Sequence, residues 1–262
     1  MLAEPFNQLI EVMFAPLEGS ISAAAPVGLL LLGLVTGLRH SMEADHVAAV
    51  STIVATTRGQ NKLRRAPLLG LMWGIGHTVT LFVAGLIVLL FAITIPENVS
   101  GRLEFGVGLM LIFLGATTLT GFNVGRFLRG IIGRGRKHSH EHIHKESGVV
   151  HSHEHDHRQD HNHGHKSLIV GLIHGMAGSG ALMLVVLSTI NSVPLGLGYI
   201  AIFGAGSIAS MAAMSALIGL PFVWARNYRR ANLLLRYVAA VITLIIGAGL
   251  VYELGIVEQV FL

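Results

Sequence analysis

Cysteine is absent from the chain. That excludes a disulfide framework and any thiolate metal site. Charge is scarce too: Asp, Glu, Lys and Arg make up 12% of the 262 residues, while 52% are hydrophobic. An ordinary soluble domain carries roughly 25% charged residues. No nucleotide-binding loop occurs, so ATP hydrolysis by this chain is not expected. The first residues, MLAEPFNQLIEVMFAP, lack a basic segment and a small-residue cleavage site. Residues 1–23 therefore read as an amphipathic lead-in rather than a signal peptide. The formal net charge of +4 sits in short loops between apolar runs, which gives nucleic acid no basic surface to bind.

What the chain has is apolar sequence in long runs. Six stand out, roughly over residues 27–56, 68–94, 103–121, 167–190, 196–224 and 232–254. Each approaches or exceeds the ~20 residues needed to cross a bilayer core of about 30 Å. Gly is frequent inside them, as expected where membrane helices pack closely. The expected fold is an all-α integral membrane protein with six transmembrane helices, partnered by the lipid bilayer. The loops orient it. Arg58, Lys62, Arg64 and Arg65 lie between runs one and two. Arg126, Arg129, Arg134, Arg136 and Lys137 follow run three, and Arg226, Arg229 and Arg230 follow run five. The opposite ends carry Glu4, Glu11, Glu18, Glu97, Glu253 and Glu258. By the positive-inside rule the basic loops are cytoplasmic and both termini lie outside, in a multi-pass protein of the cytoplasmic membrane.

The chain also repeats itself. GLRHSMEADHVAAV from Gly37 matches GLIHGMAGSGALML from Gly171 at Gly, Leu, His and Met. WGIGHTVT from Trp73 matches FGAGSIAS from Phe203, with Gly74/Gly204 and Gly76/Gly206 in register. Three helices per repeat is an odd number, so the halves, residues 24–125 and 167–262, are expected to be inverted in the membrane. Inverted repeats with a polar site near the midplane are a recurring transporter design. Between the halves, residues 126–166 are polar and hold eleven of the fifteen His. With almost nothing to bury, this loop is expected to be disordered. Its alternating His, Glu, Asp and Ser suit weak, fast-exchanging binding of several divalent ions.

The densest chemistry lies in RHSMEADH, residues 39–46, inside the first apolar run. A charged group facing lipid costs on the order of 3 kcal/mol, so such groups persist where they face a protein interior and have a function. Two His, one Asp and one Glu within seven residues form a set of N and O donors suited to nickel, cobalt, zinc or copper. A proton relay needs only one or two carboxylates, and the paired imidazoles favour a metal. At ~100° per residue, His40, Glu43 and His46 share one helical face while Asp45 points nearly opposite Glu43. An intact helix cannot aim His40, Asp45 and His46 at one ion. Either the helix unwinds near residues 40–46 or other helices share the ligands. His77, in WGIGHT, is a further candidate ligand or a helix-packing His. So is His174, the counterpart of His40. Ser207, the counterpart of His77 in the repeat, is able to donate a hydrogen bond. Arg39 pairs with Asp45 or Glu43, or reaches toward an interface. Met42, Met176 and Met211 read as packing residues.

The pattern His-x4-Asp-His, here His40, Asp45 and His46, resembles the signature of the nickel/cobalt transporter (NiCoT) family. WGIGHTVT resembles a second motif of that family, and FGAGSIASM a weaker third. The resemblance covers the membrane part of both halves and not the His-rich loop. It implies a non-enzymatic secondary transporter of Ni2+ or Co2+, usually for uptake, with no prosthetic group. It also implies a metal site at His40, Asp45 and His46, assisted here by Glu43 and His77, with His174 on the exit path. Many members have eight helices, and this chain reads as the shorter, urease-accessory-like branch. Glu43 stands where the family usually has Asp, and Gly175 to Gly180 replace an acidic residue of the second half. Metal choice and direction stay open. The rival readings are an exporter of Ni2+, Co2+ or Zn2+ that collects ions on its loop, a membrane-bound metalloenzyme, and a membrane-tethered metallochaperone. The loop is also a candidate contact for a separate metallochaperone.

Overall fold

The computed structural model describes residues 3–20, 26–57, 62–91, 96–121, 140–143, 150–153, 162–175, 190 and 192–261. An N-terminal helix, α1 (Ala3–Ser20), precedes α2 (Pro26–His40). After α3 (Ala44–Thr56) come α4 (Lys62–Phe91) and α5 (Glu97–Thr120). The second half holds α6 (Asn162–His174), α7 (Val193–Trp224) and α8 (Arg229–Tyr252). A short 3-10 turn (Ala225–Asn227) joins α7 to α8, and a π-helical turn (Glu253–Val257) extends α8.

Among the described residues, four helices are long and apolar enough to cross a membrane: Arg65–Phe91, Asn98–Thr120, Val193–Trp224 and Arg229–Val257. The fourth expected run, 167–190, is represented by α6; residues 176–189, Met176 among them, lie outside the described residues. Most of the His-rich stretch lies outside them as well. Within that stretch, His140–Ile143 and Val150–His153 pair as two short antiparallel strands, from His140↔His153 to Ile143↔Val150. His alternates with other residues there, and that period of two matches a strand. Outside this short pair every described element is helical, as the all-α reading expects.

The first apolar run is broken, one of the two options its spacing left open. α2 ends at His40, and the chain turns through Ser41–Glu43 on Met42 N–H to Arg39 O (2.9 Å) and Glu43 N–H to His40 O (3.2 Å). Glu43 is extended (φ −61°, ψ 153°) and α3 restarts at Ala44. α3 is tied into the bundle by Thr243, whose Oγ1 donates to Ala48 O at 3.0 Å.

Burial follows the logic of a membrane protein. On α4 the apolar side chains Leu68, Val83, Ile87 and Leu90 are exposed, while Trp73, His77 and Leu81 are buried. Exposed apolar groups suit hydrocarbon, and polar side chains belong where protein can satisfy them.

The helices meet at glycines. A Cβ at Gly37 of α2 would collide with the carbonyl of Phe203 on α7, and one at Gly171 of α6 with the carbonyl of Trp73 on α4. Gly206 sits against the backbone of Leu34 and Leu38, and Gly76 against that of Leu168 and Leu172. Residue numbers rise together along α2 and α7, and along α4 and α6. They run in opposite senses along α4 and α7, where Gly70 meets Ser215 and Gly204 meets Thr78. The same holds along α5 and α8, where Gly108 and Gly247 face each other and Gly115 meets Leu244. Met211 is buried beside Gly74, which fits its reading as a packing residue.

Candidate metal centre

The break between α2 and α3 brings its ionisable side chains to the middle of the long helices. His40 ends α2, Asp45 and His46 begin α3, His77 lies halfway along α4, and His174 ends α6. All four imidazoles are buried, and Asp45 and Glu43 are partly so. The ring of His46 lies at the centre. Its centroid is 4.2 Å from that of His174, 4.5 Å from His40 and 5.1 Å from His77.

The carboxylates dictate which nitrogen of each ring carries the proton. An ionised carboxylate only accepts, so an imidazole nitrogen beside it must donate. Asp45 Oδ1 accepts from His46 Nδ1 at 2.8 Å and from the His46 backbone N–H at 2.8 Å. Asp45 Oδ2 accepts from His174 Nε2 at 2.9 Å. His46 Nε2 and His174 Nδ1 are thereby left as lone pairs. Both are buried, with no hydrogen-bond partner among the described residues. Glu43 Oε2 lies 3.3 Å from His40 Nδ1, which assigns the proton of His40 to Nδ1 and its lone pair to Nε2. That lone pair accepts from His77 Nε2 at 3.0 Å, leaving His77 Nδ1 as a third buried, unpartnered nitrogen.

Three unsatisfied imidazole nitrogens in a dry interior are costly unless something binds them. One donor atom each from His40, His46 and His77 lies within 4.8 Å of the others, and so do those of Asp45, His46 and His174. Both groups can hold a metal ion, and His46 belongs to both. A carboxylate that orients an imidazole and raises its basicity is the usual support of a metal-ligating His.

Aromatic side chains wall the cluster. Trp73 is fully buried, with its ring 5.4 Å from His46 and 5.3 Å from His174. Phe203 lies 5.5 Å from His40. Reading the sequence missed both as site residues, although they open the two aligned stretches WGIGHTVT and FGAGSIAS and so stand at equivalent positions.

All six candidate residues, His40, Glu43, Asp45, His46, His77 and His174, meet at this place. Ser207 donates a hydrogen bond, as expected; its acceptor is Gly37 O on α2, at 3.0 Å. Arg39 does not pair with Asp45 or Glu43, which are engaged with imidazoles; its Nε lies 3.2 Å from Glu18 Oε1 on α1.

Comparison with known proteins adds identity to geometry. The chain is 38% identical over 238 residues to the urease accessory protein UreH of Bacillus sp. (strain TB-90), covering 90% of this chain and 95% of that protein. It is 31% identical over 80 residues to the high-affinity nickel transport protein of Cupriavidus necator, covering 30% of this chain and 22% of that one. No family model and no solved structure matches.

Proposed function

We propose that this chain, which belongs to the nickel/cobalt transporter family in its shorter, urease-accessory-like branch, is a secondary permease that carries Ni2+ or Co2+ across the cytoplasmic membrane, in the direction of uptake. The observation that carries the reading is the convergence of four buried His and Asp45 from α4, α6 and the two sides of the α2–α3 break, with three imidazole lone pairs unpartnered among the described residues. A static packing role would satisfy those nitrogens. A transient cation explains why they are left open.

In this reading the ion enters among His40, His46 and His77. It displaces the His77-to-His40 hydrogen bond, which frees the Nε2 lone pair of His40 to join that of His46. Asp45 and Glu43 supply charge to a divalent ion and hold the rings. His46, common to both donor groups, passes the ion toward His174, whose lone pair is set by the same Asp45. No prosthetic group takes part, and neither relative is named as an enzyme. An inside-negative membrane favours inward movement of a cation by ~2.3 kcal/mol per charge per 100 mV, so the potential alone drives uptake of a divalent ion.

We read the bundle as six spans in two inverted three-helix repeats, with both termini outside. Support comes from the matched contacts: Gly37 on Phe203 against Gly171 on Trp73, and His40 by Phe203 against His174 by Trp73. The parallel α2/α7 and α4/α6 pairs, with antiparallel α4/α7 and α5/α8, have the senses that such a repeat requires. Here α2 and α3 together form the first span, broken at the site. Half-helix ends facing an ion near the midplane are characteristic of transporters built this way.

The test is metal accumulation by cells expressing the chain, with Ni, Co, Zn and Mn compared. Uptake raises radionickel content at nanomolar supply. Lowered content with increased nickel resistance would identify an exporter instead.

A further inference from the structure

Helix α1 is the one described helix to which neither the sequence pattern nor the transport reading assigns a task. Its inward face is Phe6, Asn7, Ile10, Phe14 and Glu18, spaced as one side of a helix, with Ile10 buried. Its outward face carries Leu9, Val12, Met13 and Leu17, all more than half exposed. The polar residues on the inward side touch the broken helix on both sides of the break. Glu18 Oε1 lies 3.2 Å from Arg39 Nε in the last turn of α2, as an ion pair without hydrogen-bond alignment. Asn7 Oδ1 accepts the backbone N–H of Ala44, the first residue of α3, at 2.8 Å.

That amide is one of the donors a helix start leaves unsatisfied. The residue placed to cap α3 from within the chain is Glu43, which has extended backbone and makes no capping bond. Its carboxylate is turned to His40 instead. An acceptor from α1 satisfies the first amide of α3, Asp45 Oδ1 accepts that of His46, and Glu43 stays turned to His40. At the other end, Arg39 puts a positive charge beside His40, and Glu18 compensates it from outside the cluster.

We propose that α1 is a clasp across the α2–α3 break, in which Asn7 and Glu18 are positioning residues that hold the site open for a divalent cation. The proposal rests on the transport reading above and adds a role for the N-terminal helix. Without Asn7 the Ala44 amide loses its acceptor, the turn through Ser41–Glu43 loosens, and Glu43 moves away from His40. His40 then loses the partner that fixes its tautomer. Without the charge of Glu18, Arg39 repels the incoming ion.

The experiment uses the full-length protein in detergent with Ni2+ alone as the probe. Binding is measured by titration calorimetry for the parent, Asn7→Ala, Asn7→Asp, Glu18→Gln and, as a control on the outward face, Val12→Ala. Hydrogen exchange of peptides spanning 41–47 and of α8 is followed in parallel. A cap of ordinary strength predicts about fivefold weaker binding for Asn7→Ala. Faster exchange at 41–47 with α8 unchanged should accompany it. Asn7→Asp keeps the acceptor and should recover both. Glu18→Gln should weaken binding severalfold, and Val12→Ala should match the parent. If Asn7→Ala binds Ni2+ like the parent, or the exchange at 41–47 does not change, the clasp is wrong. If Asn7→Ala does not fold, Asn7→Asp and Glu18→Gln still decide: failure of rescue by the first, or parent-like binding by the second, overturns it. A parent that binds no Ni2+, with exchange at 41–47 still raised in Asn7→Ala, would overturn the transport reading while leaving the clasp as a structural device.

Discussion

Replacing Asp45 by Asn tests the electrostatic design of the centre with the least change in shape. The two carboxylate oxygens accept from His46 Nδ1 at 2.8 Å and from His174 Nε2 at 2.9 Å. An amide has one accepting oxygen. Whichever way it is turned, one imidazole N–H faces an NH2 group. Losing one hydrogen bond to a charged acceptor costs about 1.5–3 kcal/mol, or roughly 10- to 150-fold in affinity if the site must hold that ring to bind the ion. The lost charge adds to this. A unit charge and a divalent ion about 6 Å apart attract by ~5 kcal/mol at an effective dielectric constant of ~20, and desolvation of the carboxylate offsets a large part of that. The hydrogen-bond term is thus a lower bound, and Ni2+ binding to the purified Asp45→Asn protein should be on the order of 100-fold weaker. The assay is calorimetry or equilibrium dialysis, with thermal melting as a check on folding. A folded Asp45→Asn variant that binds Ni2+ within threefold of the parent would refute the role of Asp45 as orienting charge.

Three further outcomes are expected. His40→Ala and His46→Ala should each abolish transport while leaving membrane insertion intact, because each removes a lone pair from a site with few to spare; near-normal uptake for any two of the variants at His40, Asp45 and His46 would sink the assignment. Deleting residues 138–165 should leave transport measurable with a changed apparent affinity or metal preference, and complete loss in a well-inserted protein would place the His-rich loop in the translocation path. Gly37→Ala and Gly171→Ala should each destabilise by about 1–3 kcal/mol, since each new methyl group meets a helix backbone, whereas Gly106→Ala, which meets nothing, should be neutral; thermal melts that separate the first two would argue against equivalent packing in the two halves.

Much of this centre was legible before any coordinates. The 100° step of a helix makes it impossible for His40, Asp45 and His46 to face one point, so spacing left two options, a break near 40–46 or ligands shared with other helices, and the structure has both. The matched contacts that support the proposed repeat fall on residues aligned in the sequence: Gly37 meets Phe203 and Gly171 meets Trp73, and such close backbone approach tolerates only Gly. Partner choice was harder to read. Arg39 lies in sequence beside Glu43 and Asp45, yet it goes to Glu18, because both nearer carboxylates are taken by imidazoles that reach them from three helices. Such competition is settled by tertiary placement and leaves no periodicity. Asn7 is a stronger case: a polar residue on an amphipathic helix reads as solvent-facing, and only the position of α1 across the break turns it toward Ala44. The short strand pair at His140–Ile143 and Val150–His153 was missed because the alternation of His there was read as metal-binding composition and not as the period of a strand.

The most direct test of a transporter built on this cluster is uptake by the purified protein in liposomes carrying an internal nickel-sensitive dye, under an imposed inside-negative potential. The parent protein should admit Ni2+ or Co2+ in a saturable way, and the His46→Ala protein, reconstituted at equal density, should admit neither above the level of empty vesicles. Equal influx through the parent and His46→Ala, or no influx through a folded parent, would contradict the account.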